Sequence, residues 1–126
     1  MDTKIMGPRD LAFLLSEGSG QISRDVVVIG AGAGKLPPGL VLGEVTASGK
    51  FAPATATEVA GSEGAETARA VLAYGVDATD EDVPAVVIRR LAEVKKPLLV
   101  FGSTIDNAAR QEAAIAQLAA AHIIAR

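Results

Sequence analysis

Glycine and proline cut this chain into pieces too short for most architectures. Gly7-Pro8, Gly30–Gly34, Pro37-Pro38-Gly39 and Ser48-Gly49 each interrupt regular structure, and 13 glycines and 6 prolines fall within 126 residues. Proline fixes φ and removes a backbone donor, and glycine favours turns, so long helices and long strands are both excluded over most of the chain. The intervals hold short apolar or β-branched runs that suit strands: 11–16, Val26–Ile29, Leu40–Thr46, Lys50–Pro53, Val71–Val76, Val83–Ile88 and Leu98–Phe101. Val26–Ile29 reads as a strand buried on both faces. Pro37-Pro38-Gly39 delivers the chain into Leu40–Thr46, Gly43 marks a bulge or a close backbone approach, and Ser48-Gly49 turns the chain back as a hairpin. Pro84 confines the start of Val83–Ile88 to a sheet edge.

The one strong helix pattern is 105–120. Thr104 is the expected N-cap, with Asp106 in the first turn favouring the macrodipole. Ile105, Ala108, Ala109, Ile115, Leu118 and Ala119 fall near one face, leaving Arg110, Gln111 and Gln117 to water. His122–Arg126 then reads as a final strand. Residues 54–68 carry little pattern and read as a surface loop, with a short helix near Glu66–Arg69. Residues 1–14 read as an extended N-terminal arm and 15–126 as one small, mainly β domain of short strands with one C-terminal helix.

The glycine run is the strongest decoy for a function. Val26–Lys35 (VVVIGAGAGK) follows a strand, as nucleotide-binding loops do. Yet Gly30, Gly32 and Gly34 give G-x-G-x-G, one residue short of the dinucleotide fingerprint. Gly30 and Lys35 are one residue too close for a phosphate loop, and Leu36 stands where a magnesium-binding hydroxyl is needed. Pro37 and Pro38 prevent a helix from starting there, so the anion-binding helix N-terminus is missing. The reading is a tight turn between strands, with no cofactor.

Other chemistry is equally thin. There is no cysteine, which removes thiolate nucleophiles and thiolate metal sites. His122, the single histidine, follows the helix pattern and reads as a capping or packing residue. The cluster Asp77, Asp80, Glu81 and Asp82 reads as a solvated loop, since a calcium loop would place its oxygens at alternating positions around a glycine. Glu44 and Glu93 border apolar runs and read as surface ion-pair partners. Neither a catalytic nor a metal-binding constellation is visible, and the chain reads as no enzyme. A formal net charge of -3 with aromatics at 3% argues against nucleic-acid binding, which calls for a basic stripe or stacking platforms. Leu11–Leu15 is too short for a signal core or membrane span, so synthesis in the cytosol without membrane insertion is expected.

Several segments, in order along the chain, resemble the head decoration (capsid-stabilising) protein D family of lambda-like tailed bacteriophages. They are Phe13–Glu17, Ser23-Arg24-Asp25, Leu36–Thr46 with Gly49-Lys50-Phe51, Val76–Thr79, Ala92-Glu93-Val94, and Ala114–Ala120 through Ile123–Arg126. Residues 54–68 fit no fixed pattern, and Leu91 stands where an acidic residue is expected. The resemblance implies a β-clip-like fold, a homotrimer, and binding to the major capsid protein at three-fold and quasi-three-fold sites of the expanded head. It also implies a place on the outer surface of the virion and stabilisation of the shell against internal DNA pressure. The N-terminal arm would add a strand to a capsid-protein sheet; the short apolar run behind its leader points to Pro8, Arg9, Leu11, Phe13 and Leu14 as its contacts, the alternative being that Leu11–Leu15 is an ordinary core strand. Alternatives are another virion module, such as a fibre or minor spike subunit, or a β-rich small-ligand-binding domain.

Overall fold

The computed structural model describes residues 9–19 and 22–126. Ten short strands and one helix near the C-terminus make it mainly β, as the breaker spacing requires. In chain order the strands are β1 (Leu14–Glu17), β2 (Arg24–Ile29), β3 (Gly34–Leu36), β4 (Val41–Glu44), β5 (Phe51–Pro53), β6 (Ala68–Leu72), β7 (Val76–Ala78), β8 (Val83–Ile88), β9 (Ala92–Val94) and β10 (Ile123–Ala125), with helix α1 (Ala108–Ala120) before the last. Strands β2-β5-β4-β6-β8 close into a barrel, β1-β9-β10 form a separate three-stranded sheet, and β3 pairs with β7.

Two apolar clusters share the barrel wall. Val27, Ile29, Leu42, Phe51, Leu72 and Val87 fill the interior. Val41, Val71 and Ile88, their neighbours along β4, β6 and β8, point outward. There they meet a second core formed with Phe13, Val94, Leu118 and Ile123 from the small sheet and α1. Alternation along each strand thus serves two cores wherever a layer covers the barrel.

Nothing among the described residues covers β2, and this corrects the expectation of a strand buried on both faces. Val27 and Ile29 point inward, whereas Val26 is 71% exposed and Val28 42%. The hairpin of β4 and β5 forms as expected, pairing Leu42 with Pro53 and Glu44 with Phe51. Gly43 meets both expectations: the register with β6 shifts beside it, and a β-carbon there would lie 2.5 Å from the carbonyl oxygen of Ala65. Strand β8 spans Val83–Ile88 as anticipated, and its first part pairs with β2 alone, so Pro84 lies at an edge.

Other expectations change. The run Val71–Val76 breaks at Ala73–Gly75, a turn that separates β6 from β7. Residues Lys96–Leu98 form a 3-10 turn rather than the start of a strand, leaving Leu98 exposed, and only Val100 makes an isolated bridge, to Leu40. Pro97 suits the first turn of such a helix and not a strand interior. Residues 54–67 are a loop without the expected short helix, and Ala68 already opens β6. It packs over β4 rather than floating, with Ala54 and Ala65 buried and the Thr46 amide donating to Glu63.

Helix α1 starts later than Thr104. Asn107 is the N-cap, its side chain accepting from the Arg110 amide at 2.9 Å. The Thr104 hydroxyl instead accepts from the amide of Ala56. Ala114 and Leu118 carry the buried face, whereas Ala108, Ala109 and Ala119 are exposed, and Gln117 accepts from the Ala68 amide rather than facing water. The final strand forms, parallel to β9.

Candidate contact surfaces

The segment expected to carry the arm is partly folded onto the domain. Pro8 lies outside the described residues. Arg9–Phe13 forms a turn, in which the Ala12 amide donates to Arg9 and the Leu14 amide to Leu11. Leu11 adopts a left-handed conformation (φ 59°), and its amide donates to Ala73 at 3.1 Å. Asp10 accepts from the Gly75 amide, so the turn Ala73–Gly75 is the seat of this segment. Phe13 is 1% exposed and belongs to the core between barrel and sheet, which makes it a support of the fold. Leu11 and Leu14 are half-buried against the same core.

Leu14 opens β1, an edge strand of the small sheet. It pairs with β9 at Leu14–Val94, Ser16–Glu93 and Glu17–Ala92, with a bulge after Leu14. Its outer side has no strand neighbour among the described residues, so its backbone groups there are available for pairing. Glu17 closes the strand with a bidentate bond from Arg24, at 2.7 and 2.9 Å. That hydrogen bond from the guanidinium holds the Glu17 carboxyl below its ordinary value.

A second surface is the outside of β2 and β8. Val26 pairs with Val86 and Val28 with Pro84, forming an apolar face bordered by Tyr74. Charges at one end of it are matched within the chain: Arg24 with Glu17, and Asp25 with Arg89 and Arg90. The sequence reading missed Val26 and Val28 because an unbroken β-branched run conceals alternation. Pro84, a mark of an exposed strand edge, was the available hint.

The remaining candidates are structural. Asp77 caps Thr79 through its hydroxyl and amide, and those bonds lower the Asp77 carboxyl. Asp82 pairs with Lys50 and accepts from the Ala31 amide, tethering the glycine turn, and is likewise lowered, chiefly by Lys50. That turn leads from β2 into β3 rather than into a helix. No group of acidic or histidine side chains among the described residues could hold a metal ion. Glu44 pairs with Arg89 and Glu93 with Arg126, as expected of surface partners. His122 takes the left-handed conformation (φ 64°) that joins α1 to β10, its amide bonding back to Ala119.

The open β1 edge of the small sheet and the apolar outer face of the barrel are the kinds of surface suited to contact with other proteins. The chain belongs to the bacteriophage lambda head decoration protein D family, whose model matches residues 3–123. Among individual curated proteins none matches. Membership makes it a structural protein of the virion with a role in decorating the phage head, to which it binds, in a family generally without catalytic activity.

Proposed function

We propose that the chain acts as a homotrimer that cements the outer surface of the expanded head. It docks on the major capsid protein at three-fold and quasi-three-fold sites after synthesis in the host cytoplasm, and holds the shell against internal DNA pressure. The family match over 121 of the 126 residues carries this reading (residues 3–123). Residues 1–14 act as the capsid-binding arm and 15–126 as the decoration domain. Pro8, Arg9, Leu11, Phe13 and Leu14 are the arm residues, with buried Phe13 as its anchor and the others nearer the partner. An arm that enters a neighbouring sheet gains main-chain hydrogen bonds, and its side chains select the register.

Truncation tests the arm. Removal of residues 1–8 spares Phe13 and the Leu11–Ala73 bond. The shortened chain is expected to keep its fold and to lose most of its occupancy on expanded empty shells, read by co-sedimentation. Undiminished occupancy would remove residues 1–8, Pro8 included, from the account. Counting copies per purified particle separates decoration, with hundreds of copies, from a fibre or minor spike subunit, with few.

A further inference from the structure

We infer that Ser23 is a positioning residue that pins the arm-bearing strand to the barrel. It is the one buried polar residue among those described, at 0% exposure. Its hydroxyl accepts from the Gly18 amide at 2.7 Å and donates to the Leu91 carbonyl at 2.9 Å. The Gly18 amide also reaches that carbonyl, at 3.0 Å, and the Ser23 carbonyl accepts from the Arg89 amide. One side chain therefore ties together the end of β1, the start of β2 and the link from β8 to β9.

That junction matters because β1 is weakly held by its own pairing. It has one strand neighbour, three aligned pairs and a bulge, and short edge strands of this kind open locally before the rest of a domain. The chain upstream of Phe13 is the segment assigned to the capsid, so a pull on it that the Leu11–Ala73 bond and the buried Phe13 ring do not absorb passes on to β1. At the far end of β1 the load meets the Ser23 hydroxyl and the adjacent Glu17–Arg24 pair. Leu91 marks the same point with a left-handed backbone (φ 52°), an unfavourable conformation for leucine that its doubly bonded carbonyl helps to hold. A buried hydroxyl with both hydrogen-bonding roles filled rigidifies the place where it sits.

The functional half of this inference rests on the capsid-binding reading above; the structural half does not. Native-state hydrogen exchange on full-length Ser23→Ala is expected to show at least tenfold faster exchange at Gly18 and the β1 amides. Val27 and Val87 in the barrel should change less than threefold. Ser23→Cys, which keeps a weak donor, should fall between the two, and serves as the readout if the alanine variant fails to fold. Equal acceleration of β1 and barrel, or no change in either, would overturn the pin. On expanded empty shells Ser23→Ala should occupy sites about tenfold more weakly than the wild type. Wild-type occupancy by a locally loosened variant would overturn the functional half. Failure of the wild type itself to bind shells would overturn the capsid reading and leave the exchange result standing.

Discussion

Single side chains carry definite loads in this small fold. The Glu17–Arg24 pair joins the end of β1 to the start of β2 by two parallel hydrogen bonds. Because the folded Glu17 carboxyl titrates below its ordinary value near 4.5, the ionised pair favours the folded state above that pH. The contribution is lost as pH falls through the folded value. Glu17→Gln should therefore lower stability at pH 7 by about 1 kcal/mol or less, since the pair is partly exposed. The gap between variant and wild type in urea unfolding should close as the pH is lowered until the folded Glu17 carboxyl is protonated; a gap that persists there would deny the pair its electrostatic character. At Gly43 the argument is steric. A β-carbon would meet the Ala65 oxygen, α-carbon and carbonyl carbon at 2.5 to 2.9 Å, all of them backbone. Gly43→Ala should cost about 2–4 kcal/mol, as strained or overpacked core substitutions do. Denaturant midpoints within experimental error of the wild type would mean that the 54–68 loop moves aside freely.

At the scale of elements, Phe13 decides how firmly β1 is seated. Its ring lies in the core between the barrel wall and the small sheet, so Phe13→Ala should cost about 3–5 kcal/mol in equilibrium unfolding. A loss under 1 kcal/mol would show that the ring is not structural. Local rules made some elements readable in advance. Strand β8 declared itself by composition and by Pro84, the β4–β5 hairpin by its turn residues, and β10 by its β-branched tail. Elements fixed by distant partners were not readable. Val26 and Val28 look identical to Val27 in sequence, and only closure of the barrel, with the second layer on another side, decides which valine meets water. Thr104 and Asn107 are both good N-caps. The choice fell to Asn107 because the Thr104 hydroxyl is taken by the Ala56 amide 48 residues away. The arm residues are named from the short apolar run behind the N-terminal leader, a run that also reads as an ordinary core strand, and Phe13, sealed into the chain's own core, follows that second reading.

For the whole molecule the question is how a chain of 126 residues with net charge -3 could hold a shell together. On the trimeric reading proposed above, one arm adding one strand is a weak contact, and three arms on one trimer would convert the second and third contacts into intramolecular events, raising overall affinity by roughly 10²–10⁴. The trimer must then form between like-charged copies, which favours a surface that buries apolar groups and leaves few unmatched charges. The outer face of β2 and β8 fits that need: Val26, Val28, Val86 and Pro84 lie together, and Arg24 and Asp25 beside them are neutralised within the same chain. If the proposed trimer forms, this face is where a second copy of the chain would seat. Val26→Glu places a charge at a position 71% exposed without touching the barrel interior or the arm. The variant should unfold like the wild type but sediment as a monomer, and its affinity for expanded shells should fall by roughly 10²–10⁴ through lost avidity alone. A Val26→Glu protein that stays trimeric would move the subunit contact elsewhere on the barrel. A monomer that binds shells as tightly as the wild type would mean that one arm suffices, and that the threefold multiplication is not the source of the grip.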